Sequence, residues 1–177
     1  MVNAVKQGDK IKSISIVRNG AAAQAFKTDQ AAFDKLLAQA REAAAARVKT
    51  TRETDLAQIA AKYPGLQTGP NGVQYIIQKE GSGPKPQQGN TVQVNYTGMF
   101  LSGEVFDASA AHGGPLELQA GMGQVIPGWD QTIPDMKVGE KRLIVIPPEL
   151  AYGERGAGGV IPPHAFLVFE MELVGIK

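Results

Sequence analysis

The sequence predicts an α+β domain, a curved sheet of five or six short antiparallel strands wrapped over one short helix, with a long helical segment ahead of it. Three observations carry this reading. In residues 165–176, Leu167, Phe169, Met171 and Leu173 alternate as one wholly apolar face against Phe166, Val168, Glu170 and Glu172. Shorter runs of strand character recur between Gly- and Pro-bearing turns from residue 72 onward. Residues 28–62, by contrast, are rich in Ala, Gln, Glu, Lys, Arg and Leu, the strong helix formers.

The first strand character is Lys10-Ile11-Lys12-Ser13-Ile14-Ser15-Ile16-Val17, set between the turns Gly8-Asp9 and Asn19-Gly20. A lone strand is not stable, so this one needs a partner. Together with Ala25-Phe26, residues 1–26 resemble the C-terminal end of a bacterial cyclophilin, which implies the remnant of a preceding isomerase domain in a longer fusion. The other reading is an ordinary N-terminal strand. Either way, residues 1–27 form a first short unit.

Residues 28–64 form a helical arm or linker. Thr28 or Asp29 is a suitable N-cap. Phe33, Leu37, Ala40, Ala44, Val48, Leu56, Ile59 and Tyr63 follow three- and four-residue steps, but Lys49-Thr50-Thr51-Arg52-Glu53-Thr54-Asp55 interrupts the stripe. One long helix with a weak centre, or two helices, is expected, stopped by Pro64-Gly65. The stripe must lie on the C-terminal domain, on a bound client or on a second copy, which would make a homodimer through the helix. It lacks the Leu/Ile heptad of a strong coiled coil.

Residues 65–177 hold the globular domain. Residues 66–72 are turn-rich, residues 72–77 a strand and residues 80–86 a Gly/Pro loop. Val92, Val94 and Tyr96 alternate with polar Gln93, Asn95 and Thr97 as a strand. A second strand is expected at 98–101, then the turn Ser102-Gly103-Glu104 and the return Val105-Phe106. Residues 107–114 read as a loop of small residues and Leu116 with Leu118 as a strand. Residues 124–133 run from a loop into the short helix, where Pro127-Gly128 precedes Trp129, the only tryptophan. Leu143-Ile144-Val145-Ile146 is a continuous apolar run of central-strand type.

A formal net charge of +1 argues against a nucleic-acid binder, which usually carries a basic excess. No apolar run is long enough to span a membrane, so membrane insertion is not expected. Residues 1–8 contain no apolar signal core; the chain is expected in the cytoplasm, or in the periplasm if a signal peptide has been removed. With two histidines and no cysteine, neither a metal site nor a cofactor loop is visible. Asp107, Ser109 and His112 are close in sequence, but adjacency on a loop is no support for a nucleophilic triad.

What remains is an aromatic and aliphatic group with few polar members: Tyr96, Phe106, Asp107, Val125, Ile126, Trp129, Tyr152, Ile161 and Phe169. A plain core is one reading. Against it, Val125, Ile126 and Tyr152 sit in or beside Pro/Gly loops, which are surface segments. Asp107 follows an apolar strand end and needs a hydrogen-bond partner, for which Tyr96 is suited. Val94-Asn95-Tyr96-Thr97-Gly98, Phe106-Asp107, Val125-Ile126-Pro127-Gly128-Trp129, Ala151-Tyr152-Gly153 and Ile161-Pro162-Pro163-His164-Ala165-Phe166-Leu167-Val168-Phe169 together resemble the signature of the FKBP family, the macrolide-binding peptidyl-prolyl isomerases, over about residues 68–177.

The resemblance implies an FKBP-like fold and an enzyme that isomerises Xaa-Pro bonds of unfolded or partly folded polypeptides, assists folding and binds macrolides of the FK506/rapamycin type. It implies Trp129 as the floor under the proline ring, with Tyr96, Phe106, Val125, Ile126 and Phe169 as walls. The Ile126 N–H and the Tyr152 hydroxyl would hold carbonyls, and Asp107, held by Tyr96, would sit beside the twisted amide. Val160 and Ile161 would close the loop side. Leu116 stands where the family often has Phe, and Ala157 where it often has His, which implies altered sequence preference and weaker macrolide binding. The alternative is a non-catalytic binding or chaperone module using the same pocket.

Overall fold

The computed structural model describes residues 30–69 and 72–177. The chain divides into two compact units, residues 1–46 and 47–177, and the boundary falls inside the first helix. The strand expected at 10–17, the stretch 1–26 read as resembling a cyclophilin end, and the N-cap expected at Thr28 or Asp29 lie outside the described residues.

Helix α1 (Gln30–Lys62) runs without a break through its Thr-rich centre. There Thr54 Oγ1 donates to the Thr50 carbonyl at 3.0 Å, so the hydroxyl is satisfied inside the helix. In the first unit the helix carries exposed Phe33, Leu36 and Leu37. In the second unit it buries Ile59. The Tyr63 N–H still donates to the Ile59 carbonyl, and Gly65 at φ +90° then turns the chain away.

The sheet is antiparallel throughout: β1 (Gln67–Thr68), β2 (Gln74–Lys79), β3 (Thr91–Phe100), β4 (Val105–Ala108), β5 (Leu116–Gln119), β6 (Lys141–Ile146) and β7 (Leu167–Ile176). The order is β1-β2-β6-β7-β3-β4, with β5 also paired to β3. The described residues thus hold seven strands, not the expected five or six. Strand β1 is two residues of the expected linker, without alternation to mark them, recruited by pairing with Gln74 and Tyr75. The strands expected at 92–96 and 98–101 are one strand, β3. Gly98 does not break it, because this glycine serves close packing: a Cβ there would lie 2.7 Å from Phe106 Cζ and 2.8 Å from Phe169 Cε1.

Two apolar clusters form. On one face, Val92, Val94, Trp129, Ile133, Ile144, Ile146, Leu167, Phe169, Met171 and Leu173 pack around helix α2 (Pro127–Thr132). Pro127 starts this helix, and Gly128 lets it approach β6, since a Cβ would meet Ile146 Cγ2 at 2.6 Å. On the other face, Ile59 of α1 covers Leu143, Val145, Phe166 and Val168. Strand β6 is therefore buried on both faces, as its continuous apolar run implies.

One buried polar network interrupts the first cluster. Arg142 pairs with Glu140 and Asp135, and its guanidinium lies 4.7 Å from the centre of the Tyr75 ring. Nothing in the sequence pattern announced it. Among the described residues no helix is long and apolar enough to cross a membrane.

Candidate functional site

The first cluster opens at its edge into a cavity of about 430 Å³. Tyr96 from β3, Phe106 and Asp107 from β4, and Phe169 from β7 supply the sheet side of the wall. Leu116 stands at the start of β5; Gln124, Val125 and Ile126 come from the loop before α2, Trp129 from α2, and Tyr152 from the loop after the 3-10 turn Pro148–Leu150.

The rings support one another edge to face. The Trp129 ring centre lies 4.9 Å from that of Tyr96 and 5.2 Å from that of Phe169, with interplanar angles of 76° and 83°. Phe106 meets Phe169 at 5.6 Å and 88°. Trp129 is only 4% exposed, and among the described residues its indole N–H has no partner.

The loop segments are held by their own hydrogen bonds. The Gly123 N–H donates to Asp130 Oδ1 at 3.0 Å, and the Gln119 N–H donates to Gln124 Oε1 at 2.8 Å. The Ile126 carbonyl accepts from the N–H groups of Trp129 and Asp130, tying the loop to α2. Among the described residues nothing accepts from the Ile126 N–H, and the hydroxyl of half-exposed Tyr152 has no partner. Tyr152 is presented by a tight turn in which the Ala151 and Gly153 N–H groups both donate to the Pro148 carbonyl.

Asp107 is the charged member of the wall. Its Oδ2 accepts from the Tyr96 hydroxyl at 2.7 Å, and its Oδ1 accepts from the Ala108 N–H at 2.9 Å. His112 Nε2 lies 2.7 Å from the same Oδ1. Desolvation pushes the carboxyl up, but the bonds from Tyr96, His112 and Ala108 together outweigh it and hold Asp107 below the usual carboxylate range. The Tyr96 phenol is pushed up to about 12 by burial and by its bond to Asp107.

Ser109 does not complete a triad. Its hydroxyl contacts the β3 backbone instead, accepting from the Tyr96 N–H at 3.1 Å and donating to the Tyr96 carbonyl at 3.3 Å. The site therefore has no activated nucleophile on this loop.

Nine of the sequence-derived candidates line the cavity: Tyr96, Phe106, Asp107, Leu116, Val125, Ile126, Trp129, Tyr152 and Phe169. Ala157, Val160 and Ile161 do not. Ala157 and Ile161 form a two-way backbone bridge closed by Gly158 and Gly159 at φ +58° and +71°, a tight hairpin turn. Val160 is exposed at its tip, and the Ile161 side chain packs into the core. Sequence reasoning missed Gln124, although it adjoins the Val125-Ile126 motif. It weighed His112 beside Asp107 only as a triad member and set it aside; their approach depends on the 3-10 turn Ser109–His112.

A sequence model of the FKBP-type peptidyl-prolyl cis-trans isomerases matches residues 83–174. FK506-binding protein 1A of Neurospora crassa is 50% identical over 108 residues, 60% of this chain and 90% of that protein. FK506-binding protein 1 of Dictyostelium discoideum is 50% identical over 106 residues, 60% of this chain and 99% of that one. The crystal structure of a peptidyl-prolyl cis-trans isomerase from Pseudomonas syringae superposes with a TM-score of 0.64 at 34% identity, covering 75% of this chain and 94% of that chain. These relatives come from a fungus, an amoeba and a bacterium, so they assign no host. The matched family region does not reach residues 1–26, and these comparisons give no support to the cyclophilin resemblance read there. The aromatic cavity, the matched residues and the extent of the likeness lead to one conclusion: this chain belongs to the FKBP-type peptidyl-prolyl cis-trans isomerase family.

Proposed function

We propose that this chain catalyses cis–trans exchange at Xaa-Pro bonds of unfolded or partly folded polypeptides and binds macrolides of the FK506/rapamycin type in the same cavity. The observation that carries this is an apolar, ring-walled concavity lined by two residues whose donors, the Ile126 N–H and the Tyr152 hydroxyl, have no partner among the described residues. Rotation of a peptide bond meets a barrier of about 18–20 kcal/mol because resonance keeps the amide planar. The twisted amide has lost that resonance and much of its charge separation. A dry aromatic pocket therefore favours it over the planar form, and no bond has to break.

In this reading Trp129 supports the proline ring, and Tyr96, Phe106, Val125, Ile126 and Phe169 enclose it. The Ile126 N–H and Tyr152 hydroxyl clamp the neighbouring carbonyls, while Asp107, pinned by Tyr96, faces the twisting amide. Each tenfold in rate needs only about 1.4 kcal/mol of selective binding, so these few contacts are of the right order. Leu116 shapes the rim; Ala157 and Val160 act from the adjoining hairpin. The exposed Phe33, Leu36 and Leu37 of α1 offer a surface for pairing with a second copy.

The test is the cis-to-trans rate of a short Xaa-Pro peptide with and without a macrolide. A macrolide-sensitive acceleration is expected. A folded chain that binds the macrolide without accelerating exchange would instead be a binding module.

A further inference from the structure

Of the residues lining the cavity, Asp107 is the one acidic or basic side chain; the others are apolar groups, phenols and an amide. The electrostatic sign at the mouth is therefore set by Asp107 and by what touches it. Two of its partners, the Tyr96 hydroxyl and the Ala108 N–H, are neutral donors. The third is His112, with Nε2 2.7 Å from Oδ1. Imidazole is the side chain whose charge ordinarily changes in the physiological pH range. The His112 and Asp107 side chains are 63% and 41% exposed, so both face solvent, and His112 stands outside the cavity lining, behind Asp107.

Other charges lie around the site but do not line the cavity. Lys141, Glu170 and Glu172 share a neighbouring hollow with Ser109 and Ala110, where Lys141 pairs with Glu170. The second histidine, His164, lies on the Tyr152 side, its backbone N–H donating to the Gly153 carbonyl. Glu117, beside Leu116 on β5, is paired with Lys177. Asp130 on α2 accepts from the Gly123 N–H. Glu154 and Arg155 follow Tyr152 with opposite signs. The turn Ser109–His112 carries no second titratable group.

We propose that His112 is a specificity residue whose charge state decides whether the mouth of the cavity presents a net negative charge to the residues flanking the client proline. With the imidazole neutral, the Asp107 carboxylate is uncompensated and favours Lys or Arg beside the proline. With the imidazolium formed, the pair is neutral and that preference disappears. The inference rests on the isomerase reading above. Exposed pairs act weakly, so the preference changes about two- to fivefold.

The test compares otherwise identical Lys-Pro, Ala-Pro and Glu-Pro peptides with the full chain at low salt, from about pH 5.5 to about pH 8, where the peptides keep their own charges. The ratio of kcat/KM for Lys-Pro over Glu-Pro rises with pH in the unmodified protein. It stays low and flat in His112→Arg, which keeps a cation throughout, and high and flat in His112→Gln, which keeps a neutral donor. Salt at about 1 M removes the difference. A ratio that is constant in the unmodified protein, or that moves alike in all three proteins, overturns the proposal. The affinity ratio of the same peptides, followed by the fluorescence of Trp129, the only tryptophan, reads the preference without turnover. Binding without turnover sinks the isomerase reading, while the affinity ratio still decides the role of His112.

Discussion

The two faces of the sheet bury apolar side chains to different ends. On one, Leu143, Val145, Phe166 and Val168 are covered by Ile59 from the second half of α1. On the other, Trp129, Tyr96, Phe106 and Phe169 prop one another edge to face and leave a walled hollow. Branched aliphatic side chains mesh closely. Perpendicular rings hold fixed positions around a space they do not fill. The same drive to leave water gives support on one face and a binding cavity on the other.

The largest effect is expected where both roles meet. Trp129→Ala removes a buried floor and should lower stability by about 3–5 kcal/mol. It should also weaken macrolide binding at least about tenfold, roughly 1.4 kcal/mol. Unchanged macrolide affinity in a folded variant, measured by calorimetry, would remove Trp129 from the site. Next, Ile59→Ala on the supporting face should lower stability by about 2–5 kcal/mol in urea unfolding. The folded fraction should keep its kcat/KM; a parallel loss of turnover would mean that the two faces are not separable.

Asp107→Leu reverses that pattern. It should cut turnover about tenfold. Its effect on stability should be only about 1 kcal/mol, the worth of an exchanged hydrogen bond. Full activity would take Asp107 out of the mechanism. The smallest effect is on the pH dependence of the melting temperature. Asp107 and Asp135 are held below their ordinary values; at Asp135 desolvation is the largest single pull and raises the carboxyl, but Lys85 and Arg142 together outweigh it. Their stabilisation is present above about pH 4 and is lost as pH falls through the lower folded values. Tyr96 is raised from 10.0 to about 12, so its share is present below pH 10 and is lost as pH rises toward 12. Tyr96→Phe should flatten the alkaline limb. Ile59→Ala should lower the whole curve without changing its shape, because its cluster holds no carboxylate.

Strands β6 and β7 were legible in the sequence because strict alternation or an unbroken apolar run leaves little choice of face. Helix α1 was legible from composition, and eight of the cavity residues from ordered motifs that lie on three strands, helix α2 and two loops, while Leu116 was read as a departure from the family pattern. Strand β1 was not, since two residues carry no period and pair only because β2 lies beside them. That the expected strands 92–96 and 98–101 are one strand was not legible either: the role of Gly98 is set by Phe106 and Phe169, which approach from other strands.

The sequence by itself determined the kind of surface this protein makes, because burial preference and backbone conformation are properties of each residue and its neighbours in the chain. It thereby specified the α+β class, the aromatic set and the Pro-Gly start of α2. The tertiary structure decided which of those residues meet. It left Ala157, Val160 and Ile161 outside the cavity wall, turned Ser109 toward β3, and brought His112 onto Asp107. Such contacts depend on distances across strands and turns, where a shift of one residue would part the groups, and no local pattern records them.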